Sequence, residues 1–123
     1  MPLDPGLATQ QLCHLVTVGR HTARPHTVEM WFAADPQSDR LYLLAGGRDD
    51  SDWVLNVRAN PSVRIRISGQ TLSGRAHVIE GEPDELRARH LVGGKYGYWT
   101  EGTPLSGWAR DSLPLAIDLD PPA

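Results

Sequence analysis

The stretch Val63-Arg64-Ile65-Arg66-Ile67-Ser68-Gly69-Gln70 decides the fold class. Val63, Ile65 and Ile67 alternate with Arg64 and Arg66, the period of two that turns one face of a strand to a core and the other to water. Ser68-Gly69-Gln70 then turns the chain into a second alternating run, Leu72 to Ile79. Such a hairpin belongs to an antiparallel sheet, because a parallel pair needs a long crossover between its strands.

Upstream, Ser51 or Asp52 caps a short helix through Trp53, Leu55, Val57 and Arg58, which Asn60-Pro61 ends. Leu41 to Ala45 before it is a strand closed by Gly46-Gly47 and entered through the turn cluster Asp35 to Asp39. His26 to Ala33 alternates, with Val28, Met30 and Phe32 on one face and Thr27, Glu29 and Trp31 on the other. It pairs as a hairpin with a first strand from about Leu12 to Gly19, and three strands in succession predict a meander. Downstream, Pro83 followed by Asp84 and Glu85 opens a helix carrying Leu86 and Leu91 that weakens at Gly93-Gly94. Gly102 to Ser112 reads as a loop with a helical turn around Trp108, and Leu113 to Leu119 as a final strand despite Pro114. The order β-β-β-α-β-β-α-β predicts a mainly β fold, a six-stranded antiparallel barrel with two or three short helices, in one domain over residues 1–123.

The 123 residues supply one core, and a hydrophobic share of 40% with 22% charged residues is ordinary for a globular chain. The absence of a long apolar run predicts no membrane span. Met1 to Gly6 lacks a basic stretch followed by an apolar one, so a cytoplasmic protein is expected. A net charge of −3 argues against a nucleic-acid partner, while locally gathered arginines suit a small phosphate. Cys13, the single cysteine, excludes an intramolecular disulfide and reads as a buried, inert thiol. His14, His21 and His26 surround one hairpin, but no carboxylate–histidine spacing accompanies them and no metal site is expected. His77 and His90 read as surface or boundary residues.

Two motifs carry chemistry. Gly19-Arg20-His21-Thr22-Ala23-Arg24-Pro25 is a hairpin loop bearing two guanidinium groups, which suit bidentate contact with phosphate or carboxylate. In Ala45-Gly46-Gly47-Arg48-Asp49-Asp50-Ser51-Asp52-Trp53 a strand ends in glycines and runs into a helix start, where free N–H groups, Arg48 and the Ser51 hydroxyl make an anion site. A tight turn followed by a helix cap explains the same residues, and the three aspartates favour it.

These motifs, with the run Trp53-Val54-Leu55-Asn56-Val57-Arg58-Ala59-Asn60-Pro61, make the chain resemble the deazaflavin-dependent nitroreductase family. That family is a branch of the flavin/deazaflavin oxidoreductases in the pyridoxamine 5'-phosphate oxidase-like superfamily. The resemblance covers roughly Leu12 to Trp99. It implies a split β-barrel of the FMN-binding type, forming a homodimer with the cofactor at the interface. The cofactor's phosphate would lie over the helix start, held by Arg20, Arg24, Gly46, Gly47, Arg48, Ser51 and Trp53, with Glu29 and Trp31 lining its cleft. Lys95-Tyr96-Gly97-Tyr98-Trp99 stands where related nitroreductases carry substrate-pocket tyrosines, so Lys95, Tyr96 and Tyr98 are the catalytic candidates; the alternative is that the aromatic residues pack the barrel end or the dimer, which such residues do more often than they catalyse. The implied activity is hydride transfer from reduced coenzyme F-420 to a small nitro, quinone or enone acceptor. The sequence departs from the family where Asp49-Asp50 replace a lysine that deazaflavin enzymes often carry. FMN is therefore the alternative cofactor, and a non-catalytic flavin- or haem-binding protein the reading of a different class.

Overall fold

The computed structural model describes residues 3–121; Met1, Pro2, Pro122 and Ala123, the ends of the expected domain, lie outside them. In chain order the elements are α1 (Pro5–Ala8), β1 (Cys13–Val18), β2 (Pro25–Met30), β3 (Ala33–Ala34) and β4 (Arg40–Ala45). A 3-10 turn at Arg48–Asp50 leads into α2 (Asp52–Ala59). Then come β5 (Ser62–Ile67), β6 (Gln70–Val78), α3 (Glu85–Lys95), α4 (Gly107–Asp111) and β7 (Leu113–Leu119).

The strands form a single 7-stranded antiparallel sheet in the order β2-β1-β5-β6-β7-β4-β3. The first hairpin is β1–β2, in register from Cys13↔Met30 to Val18↔Pro25. Gly19 is required in its loop, since a Cβ there would stand 2.9 Å from the Thr22 hydroxyl and 3.1 Å from the Arg24 carbonyl. The second hairpin, β5–β6, turns on Ser68 (φ 50°) and Gly69 (φ 82°), the two left-handed residues that a type I′ turn demands. The expected meander is not formed. β4 pairs with β7 rather than with β2, so β2 and β3 lie at opposite edges of the sheet although only Trp31 and Phe32 separate them in the chain. Two residues span at most about 11 Å, and the sheet must therefore curl until its edges nearly meet.

The seventh strand, beyond the six expected, arises at this seam. The predicted strand over 26–33 breaks after Met30 because side chains take over the backbone at Phe32. The Lys95 ammonium donates to the Phe32 carbonyl (2.9 Å), and the Phe32 N–H donates to the Tyr96 hydroxyl (3.1 Å). Four α-helices replace the two or three expected; α1, capped by the Asp4 carboxylate at the Gly6 N–H, was not foreseen. α3 does not weaken at Gly93-Gly94 but runs through them, since a Cβ on Gly93 would stand 3.2 Å from both Ala109 and Trp99. The helix needs glycine there so that α4 and the Trp99 loop can approach. It ends in a Schellman motif: Gly97 (φ 81°) follows the cap, and the Tyr98 N–H donates to the Gly93 carbonyl at 2.8 Å.

Inside the curl, Cys13, Leu15, Leu43, Ile65, Ile67, Leu115 and Ile117 form the main core, and α2 plugs it with Trp53, Val54 and Val57. Burial pushes the Cys13 thiol up to about 12, consistent with an inert group. On the outer surface α3 covers the β4–β7 half, where Ala88 and Val92 pack on Tyr42, Leu44 and Ala116. Among the described residues no helix packs over the β2-β1-β5-β6 half of that surface, and Arg64, Arg66, Ser73 and Arg75 stand exposed there. Among the described residues no helix is long and apolar enough to cross a membrane, and no group of histidine, cysteine or carboxylate side chains is placed to hold a metal.

Candidate functional site

Two consecutive glycines join the two halves of the candidate site. Gly46 lies against Trp108, where a Cβ would be 3.3 Å from the indole; Gly47 lies against Ser51, where a Cβ would be 2.6 Å from the hydroxyl. One side of this loop is therefore an aromatic wall and the other a helix start.

At the helix start, the Val54 and Leu55 N–H groups donate to the Ser51 carbonyl, while the Ser51 side chain makes no capping hydrogen bond. The hydroxyl is thus left for a ligand, beside the positive end of α2. Arg20 reaches this helix from the β1–β2 loop, donating to the Asn56 side-chain oxygen (2.9 Å) and to the Asp52 carboxylate (3.1 Å). Asn56 passes the tie on by donating to the Thr17 hydroxyl (3.1 Å), so loop and helix are one braced unit. Asp49 is neutralised by Arg58 at 2.6 Å as Asp52 is by Arg20, which leaves less negative charge at the helix start than the bare sequence suggests. Arg24 is exposed in the same loop.

Two expected ligands of the phosphate are occupied elsewhere. Arg48, at φ 49°, donates to the Asp111 carbonyl (2.9 Å) and pairs with Glu80, so its guanidinium anchors the segment after α4. Trp53 is buried in the core rather than facing a cleft.

The aromatic wall is built from three segments. Trp31, at the seam, stacks on Tyr96 with centroids 4.1 Å apart and planes 3° from parallel; Trp108 meets Trp31 edge-on at 5.6 Å, and Tyr98 lies 5.8 Å from Trp31 and 5.4 Å from Trp108. Trp31 and Tyr98 remain exposed, at 36% and 50%. Such a surface offers a flat apolar ligand a stacking partner. Glu29 lies apart from it, on the outer face of β2 with its carboxylate 3.6 Å from His14.

The three catalytic candidates differ in what their polar atoms do. The Lys95 ammonium donates to the Ala8, Gln10 and Phe32 carbonyls at 3.1, 2.7 and 2.9 Å, and burial lowers its pKa. The Tyr96 hydroxyl is committed to the backbone of Gln11 and Phe32, and burial raises its pKa. Both side chains latch the N-terminal segment to the seam. The Tyr98 ring is half exposed at the mouth of the wall. Trp108 was missed as a site residue; its sequence neighbourhood carries no periodicity, and α4 is held in place by Arg89, which donates to the carbonyls of Ala109 and Ser112, and by Arg48, which donates to that of Asp111.

With this geometry in view, comparison with known proteins is informative. Residues 6–103 match the F420H(2)-dependent quinone reductase family, and the chain belongs to that family. The F420H(2)-dependent quinone reductase of Mycobacterium tuberculosis is 29% identical over 90 residues, covering 72% of this chain and 59% of that protein; the chain thus spans well under the full length of this relative. Among solved structures, an F420 reductase has a TM-score of 0.62 at 23% identity, covering 94% of this chain and 92% of its own. The general stress protein 26 of Bacillus anthracis has a TM-score of 0.65 at 18% identity, covering 94% and 84%. These structures share the curled antiparallel fold.

Proposed function

We propose that the chain is one split-barrel unit of a cytoplasmic oxidoreductase that holds reduced coenzyme F-420 and delivers its hydride to a small quinone-type acceptor. The observation that carries this reading is the Gly46-Gly47 junction between the Ser51 helix start and the aromatic wall. A ribityl-phosphate arm with a flat ring at its far end needs such a pair of neighbours, and family membership points to the deazaflavin. The bound cofactor supplies the hydride; the protein supplies position and a dry surface.

In this reading the N–H groups of α2 and the Ser51 hydroxyl hold the phosphate, with Arg20 and Arg24 closing over it from the β1–β2 loop. The Gly46-Gly47 loop itself lies close against Trp108 and Ser51 because neither residue carries a side chain. Trp31 and Trp108 present flat surface to the ring or the acceptor. Tyr98 is the phenol placed to donate a hydrogen bond to an acceptor oxygen, while Lys95 and Tyr96 position Trp31 through Phe32.

Titration of the protein with coenzyme F-420 and separately with FMN, followed by ligand fluorescence, tests the reading. Selective deazaflavin binding is expected, with Ser51→Ala and Arg20→Ala each weakening it by about 1–3 kcal/mol, the value of a charge-assisted hydrogen bond. Selective FMN binding would replace the cofactor, and tight binding without reduction of any quinone would leave a carrier.

We further propose a homodimer that closes over the aromatic wall. Leu12, Trp31 and Tyr98 are the exposed large apolar side chains on this side of the molecule. A dimer in sedimentation is expected, and Trp31→Glu should shift it toward monomer.

A further inference from the structure

With four exceptions, every arginine of the chain meets a carboxylate. Arg24, Arg64, Arg66 and Arg75 form no ion pair among the described residues, and all four are exposed. Three of them share the uncovered half of the sheet's outer surface. Arg64 on β5 stands opposite Val16 on β1 and Ser73 on β6; Arg66 stands opposite His14 and Thr71; Arg75 on β6 stands opposite Ser62. Alternate residues on one strand, and diagonal neighbours on adjacent strands, are about 7 Å apart. The inner face of β5 is held in register by buried Val63, Ile65 and Ile67, so the arginines cannot turn inward without exposing the core.

Two hollows open on this surface and meet at Val16 and Arg64. The larger, about 380 Å³, runs over Ser62, Ser73 and Arg75 to Asp120 and is also lined by Ala23 and Pro25 beside the β1–β2 loop. The smaller, about 260 Å³, adds Thr27, Arg66 and Thr71. The result is a trough across four strands, with guanidinium groups at intervals and hydroxyls between them. It shares no residue with the Gly46-Gly47 junction or the aromatic wall, although at Ala23 and Pro25 it borders the loop that carries Arg20 and Arg24.

We infer that this trough binds a short polyanion bearing two or more oxyanion groups, phosphate or carboxylate, spaced along a chain. Arg75 also stands opposite Asp118 on β7 and Asp120 lies in the larger hollow, but Arg64 and Arg66 have no carboxylate opposite them. Such a ligand relieves like charges crowded on one surface, and planar guanidinium groups with adjacent hydroxyls match its oxygens. Arg64 belongs to both hollows, Arg75 only to the larger and Arg66 only to the smaller, which is why one compact anion would satisfy part of the site and an extended one all of it. The net charge of −3 repels a long polyanion from the rest of the molecule.

Calorimetric titration of the full chain with inorganic tripolyphosphate, and separately with citrate, at low and at physiological salt tests the inference. Binding that weakens with salt is expected, together with an about tenfold or greater loss in Arg64→Gln/Arg75→Gln. Arg66→Gln alone should show a smaller loss. Arg110→Gln, which removes an equal charge paired with Asp111 outside the trough, should bind as the native chain does. The stronger of the two ligands identifies the oxyanion. Absence of binding by both ligands, equal loss in the Arg110 variant, or a native dimer that Arg64→Gln/Arg75→Gln converts to monomer would each overturn the inference, the last by giving the surface to a second copy.

Discussion

Replacing Arg89 by methionine is expected to lower the unfolding free energy by about 3–5 kcal/mol, because two buried carbonyls lose their donor and a partly buried ion pair loses its cation. Arg89 is 5% exposed and lies on the inner side of α3. Its guanidinium pairs with Glu85 one turn back at 2.9 Å and donates to the Ala109 carbonyl at 3.1 Å and to the Ser112 carbonyl at 2.8 Å. Methionine fills much of the same space, so the change isolates the polar contacts from a cavity. It leaves two carbonyls without their donor in a place water reaches poorly, and an unmet buried acceptor costs about 1–3 kcal/mol. Urea unfolding should show a lower midpoint at an unchanged slope. The same substitution releases α4, which carries Trp108, so the affinity for a flat acceptor should fall even at temperatures where the variant is fully folded. An Arg89→Lys variant should recover part of the stability, since an ammonium reaches fewer of these acceptors at once.

Asp35→Asn is expected to cost about 2–3 kcal/mol at neutral pH and to flatten the acid limb of the stability profile. The Asp35 side chain is 8% exposed and accepts two hydrogen bonds from Arg87, at 2.9 and 2.7 Å, one from the Gln37 N–H at 2.9 Å and one from the Tyr42 hydroxyl at 3.1 Å. The hydrogen-bonded Arg87 guanidinium is the largest cause holding this carboxyl well below the usual carboxylate range. A depressed folded pKa means that the stabilisation is complete above the unfolded value, near 4, and is lost as the pH falls from there toward the folded one. Native protein should therefore lose melting temperature below about pH 4, and the Asn variant, already lacking the charge, should lose less; the two curves converge at the acid end. Parallel curves would mean that Asp35 carries none of the acid sensitivity. The hydroxyl of buried Tyr42 also faces Asp84 at 3.0 Å, and burial raises its pKa, so it remains a neutral donor throughout this range.

Local features of the chain were legible where local physics decides them. The β5–β6 hairpin and its turn follow from alternation and from Ser68-Gly69, the end of α2 from Asn60-Pro61, and β7 occupies Leu113–Leu119 as its apolar run predicts. The strand order was not legible, because β4 must choose between neighbours that differ only in distant sequence, and β7 lies some seventy residues away. The seam was hidden for the same reason: Phe32 leaves the ladder because Lys95 and Tyr96 arrive from the end of α3. At the candidate site the Gly46-Gly47 loop and Ser51 could be read from the chain. The engagement of Arg48 by Glu80 and Asp111, and of Lys95 by three carbonyls, could not, since a basic residue looks equally available in sequence whether or not the fold has already used it.

The seam at Trp31-Phe32 gives the molecule an uneven mechanical character. Around the rest of the curl, neighbouring strands are joined by ladders of backbone hydrogen bonds that must break together. Between β2 and β3 the join consists of two side chains and one aromatic stack, each of which can let go alone. A join of this kind gives the barrel a line along which local opening is expected to cost less than global unfolding. Because Trp31 belongs both to the join and to the aromatic wall, anything that stacks on the wall also resists that opening. On the proposed reading of the wall, occupancy of the site and breathing of the barrel would be two readings of one equilibrium, and a bound ring would act as a removable fastener for an otherwise loose edge.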